Sequence, residues 1–389
     1  MEMRYIAKDI PLWQVTIWDK KFNNVDKKWQ PKTIKYKYLL SDELDSLRVD
    51  DGDVRILYTG KDVGFTTEEL AGDRLSEGEI ISIPWGGIPT VKYHKGKFVT
   101  GDNRIATSKD INKLTNKYLY YFMRGNIHEI ASYYRGASLK HPCMKDILKM
   151  TISYPSVQEQ DKICGQFDVL EQIIEVRKQE LQLLDDLIKA RFVEMFNLSD
   201  CIYKSLGECT DFVDYRGHTP ELSDEGIIRM VNAKSVGKGF FKYVDEFVTE
   251  ETYDAWMHRG FGYPGDILFV TEGHTFGNTC LIPEDMTKFA LGQRVITIKG
   301  KEEIKNAFLC SYMQTDMFWK DINVYRTGGT AQGIRSKDLV KVMVPIPPIE
   351  QQIEFVRFVH KVDKSKVAVQ KALDETQLLF DSLMQKYFG

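Results

Sequence analysis

The chain contains one module twice. Residues from Tyr133 onward, shifted by 192 positions, fall on a second stretch of similar sequence that runs 65 residues without a gap to the C-terminus. Tyr133 falls on Tyr325, Gly136 on Gly328, Lys145-Asp146 on Lys337-Asp338, Lys149 on Lys341, Pro155 on Pro347 and Gln160 on Gln352. A duplication of this length demands two copies of one folded unit. Two copies of one unit suggest a bipartite target.

Each copy ends in a long helical segment. Residues 156–196 hold one glycine and no proline. Apolar residues recur there at Ile163, Phe167, Leu170, Ile174, Leu181, Leu184, Ile188 and Met195, the a/d spacing of a heptad, interrupted by Arg177 and Arg191. Residues 348–389 repeat the stripe in the same register as Phe355, Val359, Val362, Val369, Leu373, Phe380 and Leu383, with Lys366, Thr376 and Tyr387 filling the pattern. Prolines at 345, 347 and 348 prevent an earlier helix start. A helix of about 40 residues would be about 60 Å long. The shared register predicts an antiparallel helix pair; the alternative is that each helix packs only on its own domain.

Before each helix lies a mixed region. In the first, Val54–Tyr58, Glu79–Ile83 and Arg104–Thr107 read as strands bounded by turn residues, with a helical patch at 110–130. In the second, Ile227–Val231, Asp266–Val270 and Arg294–Ile298 read the same way. Gly52–Leu57 parallels Gly226–Val231, Gly78–Ile83 parallels Gly265–Val270, and Phe98–Gly101 parallels Phe289–Gly292, with offsets drifting from 174 to 191. Loop lengths differ while the frame persists.

With 389 residues, the chain suits two domains and connectors. Net charge is −3, so no global basic charge announces a polyanion partner. The stretch 157–196 carries nine acidic and five basic residues, leaving the remainder near neutral. The six cysteines are scattered without zinc-site spacing. No signal-peptide core or long apolar run is present. These features predict a cytoplasmic protein with reduced thiols and no membrane contact.

Signatures of catalysis are missing. There is no phosphate-binding G-x-x-x-x-G-K-S/T loop, and Pro347-Pro348 is followed by Ile349, so the N/D-P-P-Y/F motif of adenine methyltransferases is absent. His218, His258 and His274 lie near acidic residues but in no triad-like order. Asp266 and Glu272 are the carboxylates that a nuclease reading would enlist.

Three features together resemble the specificity subunit of a Type I restriction–modification system. One is the doubled helix start, Pro155-Ser-Val-Gln-Glu-Gln160 and Pro347-Pro-Ile-Glu-Gln-Gln352. The second is Leu206 to Pro220, ending in Gly217-His-Thr-Pro220, similar to the family's target-domain start. The third is Gly265-Asp-Ile-Leu268. The first region departs from this pattern: it opens with an aromatic and basic segment from Trp13 to Tyr38 and reads Gly78-Glu-Ile-Ile81 at the third feature.

The resemblance implies an α+β chain of two mixed target-recognition domains, 1–151 and 198–343, and two conserved spacer helices, 152–197 and 344–389. The helices form an antiparallel coiled coil, and tandem duplication gives a pseudo-two-fold. It implies a non-catalytic subunit. Each target domain reads half of a split site in double-stranded DNA, and the helices set the gap. Two methyltransferase (modification) subunits dock on it, and restriction subunits join them. No cofactor is expected on this chain; S-adenosylmethionine, ATP and magnesium belong to the partners. The rival reading is a catalytically silent protein-binding scaffold with two ligand domains on a coiled-coil strut.

DNA reading needs Arg, Lys, Asn or Gln at base edges and Lys, Arg, Ser or Thr at phosphates. Polar loops at comparable places in the two copies nominate Lys61, Arg104, Tyr134, Arg135, Ser138 and Lys140 in the first. In the second they nominate Asn232, Lys234, Arg294, Arg326, Thr330 and Gln332. Within the paired Tyr-Arg loop, Ser138 falls on Thr330 and Lys140 on Gln332.

Overall fold

The computed structural model describes residues 5–22, 26, 28, 30, 33, 35–60, 63–198, 201–215, 219–327 and 332–389. Lys61, Gly217, His218 and Thr330 lie outside the described residues. The chain forms two compact units, Met1–Val176 with Ala372–Gly389, and Arg177–Lys371.

In the first unit six strands form one sheet in the order Thr16–Trp18, Asn103–Ser108, Ser76–Pro84, Lys92–Thr100, Val54–Leu57, Val63–Thr66. All neighbours are antiparallel except Val54–Leu57 and Lys92–Thr100, which run parallel with Arg55 opposite Phe98. The second unit repeats this frame in two pieces. Thr210–Asp214, Val295–Gly300, Ile267–Val270 and Thr279–Leu281 form a four-stranded sheet, and Phe247–Val248, Ile228–Val231 and Phe289–Leu291 a three-stranded one. Ile228–Val231 and Phe289–Leu291 run parallel, with Arg229 opposite Phe289. Arg55 with Phe98 and Arg229 with Phe289 are thus the same parallel step, which is why those segments match in sequence. The nine-residue strand Lys92–Thr100 serves both halves of the first sheet. Its counterpart is broken between Leu281 and Phe289, where Pro283 cannot donate to a ladder.

Both units also begin alike, although the first departs from the pattern in sequence there. Leu12–Val15 and Leu206–Cys209 are single helical turns, closed by Thr16 Oγ1 donating to the Leu12 carbonyl at 2.6 Å and Thr210 Oγ1 to that of Leu206 at 2.5 Å. The strand before each turn, Ala7–Pro11 or Ile202–Ser205, pairs antiparallel with the strand before each long helix, Thr151–Tyr154 or Met343–Ile346.

The long helices span Val157–Met195 and Ile349–Phe388. In the first unit the Phe167 ring lies 5.2 Å from Phe380 and 5.8 Å from Phe388, and Tyr387 reaches Gln166. In the second unit Phe192 lies 5.5 Å from Phe355, and Lys366 pairs with Asp185 at 2.6 Å. Within each unit rising numbers on one helix meet falling numbers on the other, so the pair is antiparallel. Ile163, Phe167, Leu170, Ile174 and Phe380 are buried in the first unit, with Leu373 half-buried. Phe355, Val359, Val362 and Val369 are buried in the second, with Leu181 and Leu184 half-buried. The helices also enter the cores of the units: Phe167 meets Tyr121 at 4.8 Å, and Phe192 meets Phe308 at 5.6 Å. Pairing and docking on the domains therefore coexist. Polar residues in the stripe find partners: Lys366 bonds Asp185, and Arg191 reaches Glu354. Despite its acidic balance, the first long helix also exposes Val169, Ile173 and Val176 in the first unit and Leu183 and Leu187 in the second. Among the described residues no helix is long and apolar enough to cross a membrane.

Candidate nucleic-acid interface

One edge of each unit is built by the same three pieces of backbone. The strand Ser76–Pro84, or Ile267–Val270, runs into a turn in which a glycine takes positive φ, Gly87 at 95° and Gly273 at 99°. Glycine adopts that conformation without a Cβ penalty. The Gly87 N–H donates to the Lys140 carbonyl at 3.2 Å, and the Gly273 N–H to the Gln332 carbonyl at 2.9 Å. Those acceptors are the two residues that the 192-residue shift superposes. Around them, Arg135 pairs with His141 in one unit, closing a small hairpin, and Thr327 pairs with Gly333 at the matching positions of the other. The third piece is the approach to the next strand. Trp85 N–H donates to the Asp102 carbonyl at 3.0 Å, and Thr271 N–H to the Arg294 carbonyl at 2.9 Å. By these bonds Asp102 stands where Arg294 stands.

In the second unit the edge forms an open cavity of about 320 Å³ lined by Glu272, Gly273, His274, Arg294, Thr327, Gln332 and Gly333. Arg294 Nε lies 3.1 Å from Glu272, and Arg326 Nη1 donates to Gln332 Oε1 at 3.2 Å. The loop holding Asn232 and Lys234 joins the same edge, because Thr275 Oγ1 reaches the Ala233 carbonyl at 3.5 Å and Gly292 N–H donates to that of Val231 at 2.8 Å. Asn232 caps its own turn by accepting from Lys234 N–H at 2.9 Å and donates to Glu246 at 2.6 Å. Lys234 is exposed and bonds Glu246, whose carboxyl that ammonium holds below its usual range against partial burial. Five nominated residues, Asn232, Lys234, Arg294, Arg326 and Gln332, thus lie on loops that meet at one edge.

The first unit divides its nominated residues. Ser138 and Lys140 are exposed on the hairpin, and Arg135 is exposed with Asp146 at 2.8 Å. Tyr134 is 5 % exposed, and its hydroxyl donates to the Pro84 carbonyl at 2.8 Å while burial pushes its pKa up. It is a core tyrosine rather than a DNA contact.

Arg104 also lies in the core rather than at a groove. It is 0 % exposed, and its guanidinium lies 4.7 Å from the Trp85 ring and 5.2 Å from the Tyr38 ring. It pairs with buried Asp19 at 3.3 Å and with Asp102. The cause is strand register. Arg104 faces Ile83 as Ile296 faces Phe269, so the arginine holds the inward position that an isoleucine fills in the second copy. Burial raises the Asp19 pKa, opposed by Arg104 and by hydrogen bonds from Tyr38 and the Ile105 amide.

One glutamine holds each edge's scaffold to its long helix. Gln160 accepts from Thr115 N–H at 2.8 Å and donates to the carbonyls of Lys113 at 2.7 Å and Pro155 at 2.8 Å. Gln352 accepts from Lys305 N–H at 2.9 Å and donates to the carbonyls of Glu303 at 3.0 Å and Pro347 at 2.8 Å. Next to each, an asparagine closes the strand end: Asn116 Oδ1 accepts from Ser108 N–H and Asn306 Oδ1 from Gly300 N–H, both at 2.6 Å. The glutamines fall on each other at the 192-residue shift, whereas the asparagines lie 190 residues apart, upstream of the gapless stretch.

The nuclease pair does not assemble. Asp266 precedes the strand Ile267–Val270 and Glu272 follows it. Asp266 is buried, accepting from Tyr263 N–H at 3.0 Å and Asn306 Nδ2 at 3.3 Å, and its burial raises its pKa.

Comparison with known proteins agrees with this duplicated frame. A family model described as Type I restriction modification DNA specificity domain matches residues 45–185 and 212–376. The chain is 22 % identical over 340 residues to the Type I restriction enzyme EcoDI specificity subunit of Escherichia coli, covering 77 % of this chain and 74 % of that one. It is 24 % identical over 280 residues to the EcoR124I/EcoR124II specificity subunit of Escherichia coli, covering 67 % and 66 %. In fold it is similar to the S subunit of a Type-I restriction-modification system from M. genitalium, with a TM-score of 0.61 at 17 % identity, over 100 % of this chain and 97 % of that one.

Proposed function

We infer, since this chain belongs to the Type I restriction modification DNA specificity family, that it reads a split sequence in double-stranded DNA, one half with each target domain. Residues 1–151 and 198–343 are the readers. The spacer segments 152–197 and 344–389 fix the gap between half-sites. The observation that carries this reading is the twin edge, Gly87 bonded to Lys140 and Gly273 bonded to Gln332. One backbone device, repeated, presents different side chains in each copy, as two readers of different half-sites require. In the first copy the contacts are Arg135, Ser138 and Lys140, with Lys61 assigned by sequence. In the second they are Asn232, Lys234, Arg294, Arg326 and Gln332, with Thr330 assigned by sequence.

The low net charge fits this account. Arg294, Lys234 and Arg135 each sit beside a carboxylate, so binding exchanges Glu272, Glu246 and Asp146 for phosphates or base edges. The chain itself is not the catalyst. Two modification subunits, which bind S-adenosylmethionine, dock on the helices, where Val169, Ile173 and Val176, and separately Leu183 and Leu187, offer exposed apolar side chains. Restriction subunits, with ATP and magnesium, join that complex in the cytoplasm.

The test is DNA binding by the complex with modification subunits. Lys140→Ala is expected to weaken binding to all sequences and reduce the salt slope by about 1. Arg294→Ala is expected to relax one base position by about 1–3 kcal/mol. Salt-insensitive binding, or two variants that leave affinity and base preference untouched, would contradict the reading.

A further inference from the structure

The two edges share a backbone and differ in chemistry. Counting from the matched glycines Gly87 and Gly273, Ile88 stands where His274 stands. The second edge is polar there, with His274, Arg294 and Gln332 around its cavity. The first edge is apolar at its tip. Ile88 is 76 % exposed and Leu139 54 % exposed, one residue to either side of the Gly87–Lys140 hydrogen bond. Their placement is built in. A Cβ on Gly86 would stand 3.2 Å from Leu139 Cδ2, so this glycine makes room for the leucine. Gly136, at φ 145°, would meet the Leu139 carbonyl if it carried a Cβ. Two glycines therefore leave room for Leu139 on the strand end that the Gly87–Lys140 bond ties to the Ile88 turn, next to exposed Lys140.

The major groove presents hydrogen-bond donors and acceptors at every base, and one distinctive apolar group, the 5-methyl of thymine. We propose that Ile88 and Leu139 read a thymine in the first half-site through its 5-methyl group. This rests on the DNA-reading function above and adds to it a base and the two residues that select it. The second copy, with His274 in place of Ile88, has no such aliphatic pair among its described residues.

The probe is deoxyuridine, which keeps the thymine hydrogen-bonding edge and lacks the methyl. The complex with modification subunits is titrated with duplexes carrying its split site, each thymidine replaced singly by deoxyuridine. One replacement in the first unit's half-site is expected to weaken binding about fourfold, the effect of losing one methyl-sized apolar contact. The double variant Ile88→Ala/Leu139→Ala is expected to bind thymidine and deoxyuridine duplexes equally at that position, while other positions keep their wild-type response. Both residues are exposed, so a melting temperature matching wild type shows that the variant is folded. A half-site without a deoxyuridine-sensitive thymine, or a double variant that keeps full sensitivity, overturns the proposal while leaving DNA reading intact. A complex with no split site and no salt-dependent DNA binding overturns the DNA-reading function, and this proposal with it.

Discussion

Gln352→Leu isolates the joint between the second domain and its long helix. The amide is 0 % exposed and makes three hydrogen bonds, to Lys305 N–H, the Glu303 carbonyl and the Pro347 carbonyl. Leucine keeps the volume and removes all three. At a net ~0.5–1.5 kcal/mol each, with a small return from the added apolar surface, the loss is about 3 kcal/mol. For a unit of this size that corresponds to a melting shift of roughly 6–12 °C. The local readout is hydrogen exchange: the Lys305 amide loses its acceptor and its protection. Gln160→Leu is the twin in the first unit, read at the Thr115 amide. Gln352→Glu sharpens the test, because it turns a carboxylate toward two carbonyl oxygens. That geometry raises the folded-state pKa of the new carboxyl above its unfolded value. Its stability is therefore highest below the unfolded pKa and is lost as pH rises through the folded pKa. Melting within 2 °C of wild type for both leucine variants, with unchanged exchange at Lys305 and Thr115, would refute the reasoning.

Arg104→Ala leaves Asp19 buried without its cation and is expected to cost about 3–5 kcal/mol by thermal unfolding. In the folded complex the salt slope of DNA binding should stay at its wild-type value, which a groove-facing arginine would not allow. Phe167→Ala removes a ring that meets Tyr121, Phe380 and Phe388 and is expected to cost about 3–5 kcal/mol in the first unit; denaturant unfolding measures it. Deleting one heptad from both helices is expected to change the gap between half-sites and leave the half-site bases unchanged, as read by mapping methylated sites; a new half-site sequence would count against the spacer role.

The long helices were legible because a heptad stripe survives in sequence wherever helices pair, and the shared 192-residue register carried over to both. The end of the first was not: Phe192 falls outside the a/d pattern because there the helix, and Phe196 just beyond it, pack against Phe308. The parallel strand step was visible as matching segments at Arg55 and Arg229, although parallel pairing itself leaves no local signature. The common start of the two units was hidden because only Leu12 and Thr16 are kept, at the two positions that close the turn. Arg104 and Tyr134 misled because residue type suggests a surface role, while strand register and a carbonyl acceptor place both in the core. Composition could not show that Arg135, Lys234 and Arg294 are already paired with carboxylates, since that pairing joins separate segments such as Glu272 and Arg294.

The most direct measurement is co-expression of this chain with its modification subunit, followed by single-molecule sequencing of the host DNA for methyladenine. The account predicts one split motif, two defined half-sites separated by a gap of fixed length. A contiguous motif, or no new methylation from a stably assembled complex, would contradict it and turn the twin edges toward a protein-binding scaffold.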